Sequence, residues 1–270
     1  MPETKTYVMI GAHPDDPDIL FGGCAIKLRR AGYRVVFISM CDGSGGHHEM
    51  TREQTAERRA RQAQRAAATC GLEYRVLDYT DCQLEPKLEI RQDLIRLIRS
   101  LNPDVVITHR LCDYHADHRA TAQLVQDASF LLAVPLECPE VAVPQKEPVF
   151  LLSWDKFMKP VPHEPAVAVA VDDVLEEKLD MLACHESQFF EWLPHLQKRL
   201  DEVPRDLAER RQWLVDGWMT RNRVQADRFR ELLRKRYGDP GASAAFAETF
   251  EVSEYGRQPS DRELDELLPR

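Results

Sequence analysis

The residues best equipped for chemistry sit together near the start of the chain, in His13-Pro14-Asp15-Asp16. They follow directly on Tyr7-Val-Met-Ile, four residues that favour a strand. Three ionisable side chains within four positions are costly to bury without a partner, and a divalent metal is the simplest one. A second dense cluster, Asp113-Tyr-His115-Ala-Asp117-His118, lies about a hundred residues further on. A catalytic zinc takes about three protein ligands at ~2.0–2.2 Å and keeps one position open. His13, Asp16 and one histidine of the second cluster make such a His₂Asp set. Spacing does not decide between His115 and His118. His118 is taken as the ligand because it opens the following helix, which leaves His115 to face the substrate. Bound zinc brings the pKa of its water down to about 7. Asp15, beside the ligands, is placed to accept that proton, or else merely caps a helix. The parts suit metal-assisted hydrolysis of an amide or ester.

The elements that must hold these residues alternate. Strands are expected at residues 8–10, 34–40, 74–77, 104–109, 148–153 and 166–171. Helices are expected at 19–30, 51–70, 88–101, 117–133 and 172–184. Thr51-Arg-Glu-Gln54 has the form of a capping box, and Gly22-Gly23 marks a close approach of another backbone. Strands alternating with helices indicate an α/β, Rossmann-like, doubly wound and mostly parallel sheet with helices on both faces. Ligands of such sheets lie beyond the carboxyl ends of the strands, where strand order reverses. With the order 3-2-1-4-5, both His/Asp clusters fall at that crevice. Residues 1–193 are expected to form the catalytic domain. Residues 194–270 are expected to form a charged, helical C-terminal extension packed on or near it, with a partly irregular tail from Gly238.

With 270 residues the chain can build a full core. Its 43% hydrophobic and 30% charged residues are ordinary for a globular protein. A net charge of −9 argues against nucleic acid as a partner. The basic run from Arg221 to Arg236 is interleaved with Glu and Asp, so it reads as a solvated or oligomer-facing helix. The seven cysteines form no CxxC pair, which excludes a thiolate zinc finger and fits reduced thiols in a cytoplasmic protein. The start, Met-Pro-Glu-Thr-Lys-Thr, runs straight into a strand and leaves no room for a signal peptide. No uncharged run approaches the ~20 residues of a membrane span.

Ala12-His13-Pro14-Asp15-Asp16, the Gly22-Gly23 pair and His115-x-Asp117-His118 resemble the LmbE-like, or PIG-L, family of zinc-dependent deacetylases. Arg59-x-x-Gln62-Ala63-x-x-Ala66, Lys178 and His185-Glu-Ser187-Gln188 resemble weaker family stretches, and the likeness spans roughly residues 6 to 190. The resemblance implies removal of acetyl from the nitrogen of an N-acetylglucosamine-type sugar, an N-deacetylase acting on a linear amide C–N bond. It implies Zn²⁺, with Fe²⁺ as the alternative metal, on His13, Asp16 and His118. Asp15 is then the general base, His115 the stabiliser of the tetrahedral intermediate and Asp117 an orienting residue. Arg59 and His185 are placed near a small amino-sugar or related N-acyl substrate. Family members often form homo-oligomers, and the charged C-terminal helices are candidates for such contacts. The chain departs from the family at Gln62, where an acidic residue is common, and at Ser44, where Glu often follows Asp-Gly.

Other residues have plainer readings. Asp18 starts a helix. His47 and His48 read as solvated loop histidines, His109 as a core hydrogen bonder, and His163 as a candidate for a substrate entrance. Trp192, Trp213 and Trp218 suit either the core or an apolar wall. A nucleotide-binding protein on this layout needs a GxGxxG turn after the first strand, but Gly11-Ala-His-Pro-Asp-Asp stands there with two carboxylates that repel a pyrophosphate. A hydrolase of another amide or ester, or a non-catalytic metal-binding module, completes the set of readings.

Overall fold

The computed structural model describes residues 4–270; the first three, on which part of the N-terminal reading rests, lie outside them. The chain opens with β1 (Thr6–Gly11), α1 (Asp16–Arg30), β2 (Arg34–Cys41), α2 (Arg52–Cys70), β3 (Glu73–Tyr79) and α3 (Leu88–Leu101). It continues through β4 (Val105–Thr108), α4 (Ala116–Leu131), β5 (Val149–Ser153), β6 (Val167–Ala170) and α5 (Leu175–Ala183). Then come α6 (Leu193–Leu196), α7 (Leu207–Gly217), α8 (Thr220–Arg228), α9 (Arg230–Tyr237), α10 (Asp239–Ser243), β7 (Ala247–Gly256) and α11 (Asp261–Leu267).

The sheet has the order β3-β2-β1-β4-β5-β7-β6, with β1 to β5 parallel. The expected 3-2-1-4-5 order is therefore present, and the reversal falls between β1 and β4. The fold is α/β with a mostly parallel sheet and helices on both faces. Alternation along β1 shows why both faces are covered: Tyr7 and Met9 join one core with residues of α1, α2 and α5, while Val8 and Ile10 join the other with residues of α3 and α4.

The tail was expected to be partly irregular; it also contains a strand that expectation did not include, β7, which runs antiparallel between β5 and β6. Its sequence disguised it, because Glu248 reads as a solvent residue yet is buried. Glu248 bonds Lys178 Nζ at 2.7 Å and accepts the Gly23 and Cys24 N–H groups at 2.8 Å each. A Cβ on Gly23 would meet Val171 Cγ1 at 2.5 Å and Glu248 Oε1 at 3.0 Å. At Gly22 the nearest atoms are those of Met181 and Lys178, so the glycine pair admits side chains rather than the second backbone expected. The capping box on α2 is as expected, with Thr51 and Gln54 bonding reciprocally. Among the described residues no helix is long and apolar enough to cross a membrane.

Candidate functional site

The turn after β1 and the loop before α4 meet at the carboxyl ends of β1 and β4, around a cavity of about 320 Å³. Gly11 allows α1 to start tight against the strand: a Cβ there would lie 2.7 Å from Asp16 Cβ. His13 Nδ1 lies 3.4 Å from Asp16 Oδ2 and 3.2 Å from His118 Nε2, and His118 Nε2 lies 3.4 Å from Asp16 Oδ1. Ligand atoms on ~2.0–2.1 Å tetrahedral bonds stand about 3.3–3.4 Å apart, the spacing of each of these contacts, though the two imidazoles meet different oxygens of Asp16.

The surrounding groups fix which nitrogens carry protons. His13 Nε2 faces Asp81 Oδ1 at 3.1 Å and Asp117 Oδ2 at 3.3 Å. Its hydrogen belongs on that side, which leaves Nδ1 with a lone pair. His118 Nδ1 lies 3.1 Å from Asp113 Oδ1, at an angle too poor for a good hydrogen bond, and Nε2 is again left facing the centre. Two imidazole nitrogens thus face one another at 3.2 Å beside a carboxylate, a donor set suited to a cation between them. Burial opposes charge on His13, but its bonds to Asp117, Asp16 and Asp81 outweigh that and raise its pKa. Burial alone would raise Asp16, whereas His118 and His109 bring it well down.

Donor atoms also converge in three overlapping groups: His13–His115–His118, His13–Asp81–His115–Asp117 and Asp16–His109–His118. The second two-carboxylate group is already engaged: Asp117 accepts the Cys82 and Leu84 N–H groups, and Asp81 accepts that of Gly45. His109 accepts the Ala12 N–H on Nε2 at 3.1 Å, as its core reading expected, and stacks on His118 at 4.3 Å. His115 caps α4, its Nδ1 accepting the Asp117 N–H at 3.2 Å. His13, Asp16 and His118 span two of these groups; Asp16 Oδ2 accepts the His13 backbone N–H at 2.7 Å, which leaves Oδ1 toward His118 Nε2.

Asp15 stands at the N-cap of α1 but makes no capping bond. Its Oδ1 accepts Arg59 Nη2 at 2.9 Å, and the same guanidinium bonds the Pro14 carbonyl at 3.0 Å. Asp15 and Arg59 both line the cavity, and Asp15 Oδ2 has no hydrogen bond among the described residues. His115 is half-buried; burial, then His13 and His118, lower its pKa, and its Nδ1, accepting the Asp117 N–H, leaves Nε2 directed to the cavity side. Asp117 is fully buried; its carboxylate faces His13 Nε2, and its backbone N–H donates to His115 Nδ1.

His185 is also fully buried and does not line the cavity; its Nε2 lies 3.2 Å from Asp18 Oδ1. Asp18 accepts the Tyr74 hydroxyl and so does more than start a helix. Gln62 bonds Ser187 and Ser44 bonds Arg52, and neither departure lines the cavity. His47 and His48 are not solvated. His47 bonds Glu191 at 2.9 Å, and His48 stacks on His195 at 3.9 Å. His163 is buried against Thr249 and is no entrance residue. Trp192 and Trp218 line the cavity, while Trp213 bonds the Phe189 carbonyl. Sequence reasoning missed Asp81, which lies in a loop after β3 with no motif around it.

Residues 8–129 match the sequence model of the PIG-L family, described as GlcNAc-PI de-N-acetylase. The diacetylchitobiose deacetylase of Thermococcus kodakarensis is 29% identical over 206 residues, covering 72% of this chain and 76% of that protein. The solved N,N′-diacetylchitobiose deacetylase from Pyrococcus horikoshii aligns with TM-score 0.72 at 23% identity, covering 93% of this chain and 84% of that one. The 4-carboxy-2-hydroxymuconate hydratase from Pseudomonas putida aligns with TM-score 0.71 at 18% identity, covering 95% of this chain and 99% of that one. Those two likenesses are of fold, and one fold hosts different reactions.

Proposed function

We propose, from the premise that residues 8–129 are a PIG-L (LmbE-like) family domain, that the chain is a metal-dependent N-deacetylase of N-acetylglucosamine-type sugars or conjugates. The observation that carries this reading is the approach of two imidazole nitrogens, His13 Nδ1 and His118 Nε2, to 3.2 Å beside Asp16. These three residues would hold Zn²⁺ or Fe²⁺. The metal supplies Lewis acidity toward an amide carbonyl and activation of a water.

The chain's own residues divide the remaining work. Asp15 takes the proton from the attacking water on Oδ2, since Arg59 occupies Oδ1 and holds the carboxylate in place. His115, its Nδ1 fixed by the Asp117 N–H, donates Nε2–H toward the oxygen that becomes negative in the tetrahedral intermediate. The proton held by Asp15 then passes to the departing amine. Asp117 and Asp81 orient His13 from behind. His185, behind the site on Asp18, acts through packing rather than substrate contact.

The test is acetate release from N-acetylglucosamine and N,N′-diacetylchitobiose by metal-loaded protein, with a chelator control. Expected are acetate and free amine in equal amounts, loss on chelation and recovery with Zn²⁺ or Fe²⁺. Zinc binding with no acetate from any N-acetyl amino sugar would overturn the deacetylase reading.

A further inference from the structure

Resting on the deacetylase reading, we infer that Ser39 and Tyr74 are positioning residues for the reaction. With Asp18 they form a buried clasp that fixes the His13 carbonyl, and through it the turn that presents Asp15 and Asp16. Ser39 and Asp18 are fully buried, Tyr74 is 6% exposed, and none of the three lines the cavity.

The turn after β1 is held by its carbonyls. That of His13 accepts the Asp15 N–H at 2.9 Å and the Asp16 N–H at 3.1 Å, so its direction sets where both carboxylates leave the backbone. Three consecutive carbonyls are each tied to another element. Ala12 accepts the Cys41 N–H at 2.8 Å, His13 the Ser39 hydroxyl at 2.8 Å and Pro14 the Arg59 guanidinium at 3.0 Å. Cys41 contributes only backbone, and Arg59 also holds the Asp15 carboxylate. Ser39 is therefore the side chain that fixes the turn without touching the base.

Behind Ser39 the polar chain continues across the sheet. Tyr74 Oη donates to Asp18 Oδ2 at 3.1 Å and lies 3.3 Å from Ser39 Oγ. Burial first, then Asp18, raise the Tyr74 pKa, so the phenol keeps its hydrogen. A carbonyl has no hydrogen to give, so Ser39 donates to His13, while the Tyr74 hydrogen faces Asp18 and the Ser39 oxygen. Asp18 sits on α1 two residues past Asp16, and its other oxygen lies 3.2 Å from His185 Nε2. The path from His13 through β2 and β3 thus returns to the helix that the turn opens. Polar side chains are expensive to bury, and apolar packing would hold these strands together without them. What the chain adds is one fixed direction for the carbonyl at its end.

Two readouts test this, one of them independent of metal and substrate. In the metal-free full chain, S39A should speed hydrogen exchange at the Asp15 and Asp16 amides about tenfold or more, as read by NMR, because their shared acceptor is loosened. In metal-loaded protein, S39A should lower kcat for acetate release about tenfold and leave KM within about twofold, the pattern of a displaced group that does not bind substrate. Y74F should act in the same direction and less. S39A combined with Y74F should stay within about twofold of S39A alone, since both break one chain. Y7F is the control: it removes a buried hydroxyl near the amino end of β1, bonded to the Leu267 carbonyl, and should change neither readout. Unchanged exchange at both amides, unchanged kcat in S39A, a rise in KM alone, multiplying losses in the double variant or equal losses in Y7F would each overturn the inference. Faster exchange in the variant of a parent that releases no acetate sinks the deacetylase reading and leaves the clasp on the turn. Acetate release with unchanged exchange does the reverse.

Discussion

Two regions of this molecule bury ionisable groups at high density, and they do so in opposite ways. Along the seam where β7 enters the sheet, each cation meets a carboxylate. Lys178 bonds Glu248 at 2.7 Å, with both side chains about 1% exposed, and Arg110 reaches Asp155 and Glu251. At the mouth of β1 and β4, like groups face each other: His13 Nδ1 and His118 Nε2 are 3.2 Å apart, and His109 stacks on His118. A matched pair satisfies itself and holds the fold. A set of converging lone pairs is satisfied only by something that arrives from outside. Burial and charge density alone would not have told these regions apart; the sign of the neighbour does.

The largest effect should come from breaking the unmatched region. His118→Ala or Asp16→Ala should lower deacetylation by at least ~10³-fold, the scale for losing the group that activates and stabilises the reacting atoms. Bound zinc, measured by elemental analysis, should fall below one per chain, while the melting temperature of metal-free protein stays the same or rises. A metal-free variant that melts well below the metal-free parent would mean that the histidines hold the fold rather than a ligand.

The matched region should respond in reverse. Lys178→Met leaves Glu248 buried without a counter-charge and should cost about 3–5 kcal/mol in denaturant unfolding. The specific activity of the fraction that stays folded should change little, since Lys178 lines no part of the cavity. A variant with parental stability would show that the backbone N–H groups of Gly23 and Cys24 suffice to hold Glu248.

Between these extremes stand residues that touch the site from behind. Asp81 faces His13 Nε2 at 3.1 Å. Asp81→Asn keeps the shape but removes the charge that fixes the tautomer, and it should cost roughly 10–100-fold in metal affinity or activity. Measuring both Kd for zinc and kcat separates orientation of the ligand from general destabilisation. Unchanged zinc affinity would assign the orienting role to Asp117 alone.

What the sequence disclosed follows from the range of the forces involved. His13, Asp15 and Asp16 share one turn, and His115, Asp117 and His118 share another, so local spacing displayed both halves of the site. The periodicity of β1 and the Thr51–Gln54 capping box were legible for the same reason. The partners that decide roles were not. Asp81 and His13 meet across 68 residues, His47 finds Glu191 across 144, and Glu248 finds Lys178 across 70. In each case a charged residue looks solvent-bound until its distant partner is known, which is why β7 passed for an irregular tail and His47 for a solvated histidine. His185 shows the converse: a family-like stretch pointed toward the substrate, while burial against Asp18 puts it behind the cavity.

The smallest effect tests the seam through pH. His163 is packed between Thr249 and Phe229. Burial first, and then Arg110 and Arg228, lower its pKa from the ordinary 6.5 to about 3, even with Glu251 Oε1 3.4 Å from its Nδ1. The folded chain therefore keeps this imidazole neutral where the unfolded chain protonates it. Between about pH 6.5 and 3 the unfolded state binds the extra proton, so the native state loses stability as pH falls and regains it above 6.5. From pH 7.5 to 5.5 that loss is about 1.4 kcal/mol for one group shifted this far. His163→Gln should flatten the stability of the variant relative to the parent by this amount over the same interval, as read by urea unfolding at the two pH values. An identical pH slope in both proteins would mean that Glu251 takes up the charge of His163, making the seam there as self-matched as it is at Lys178.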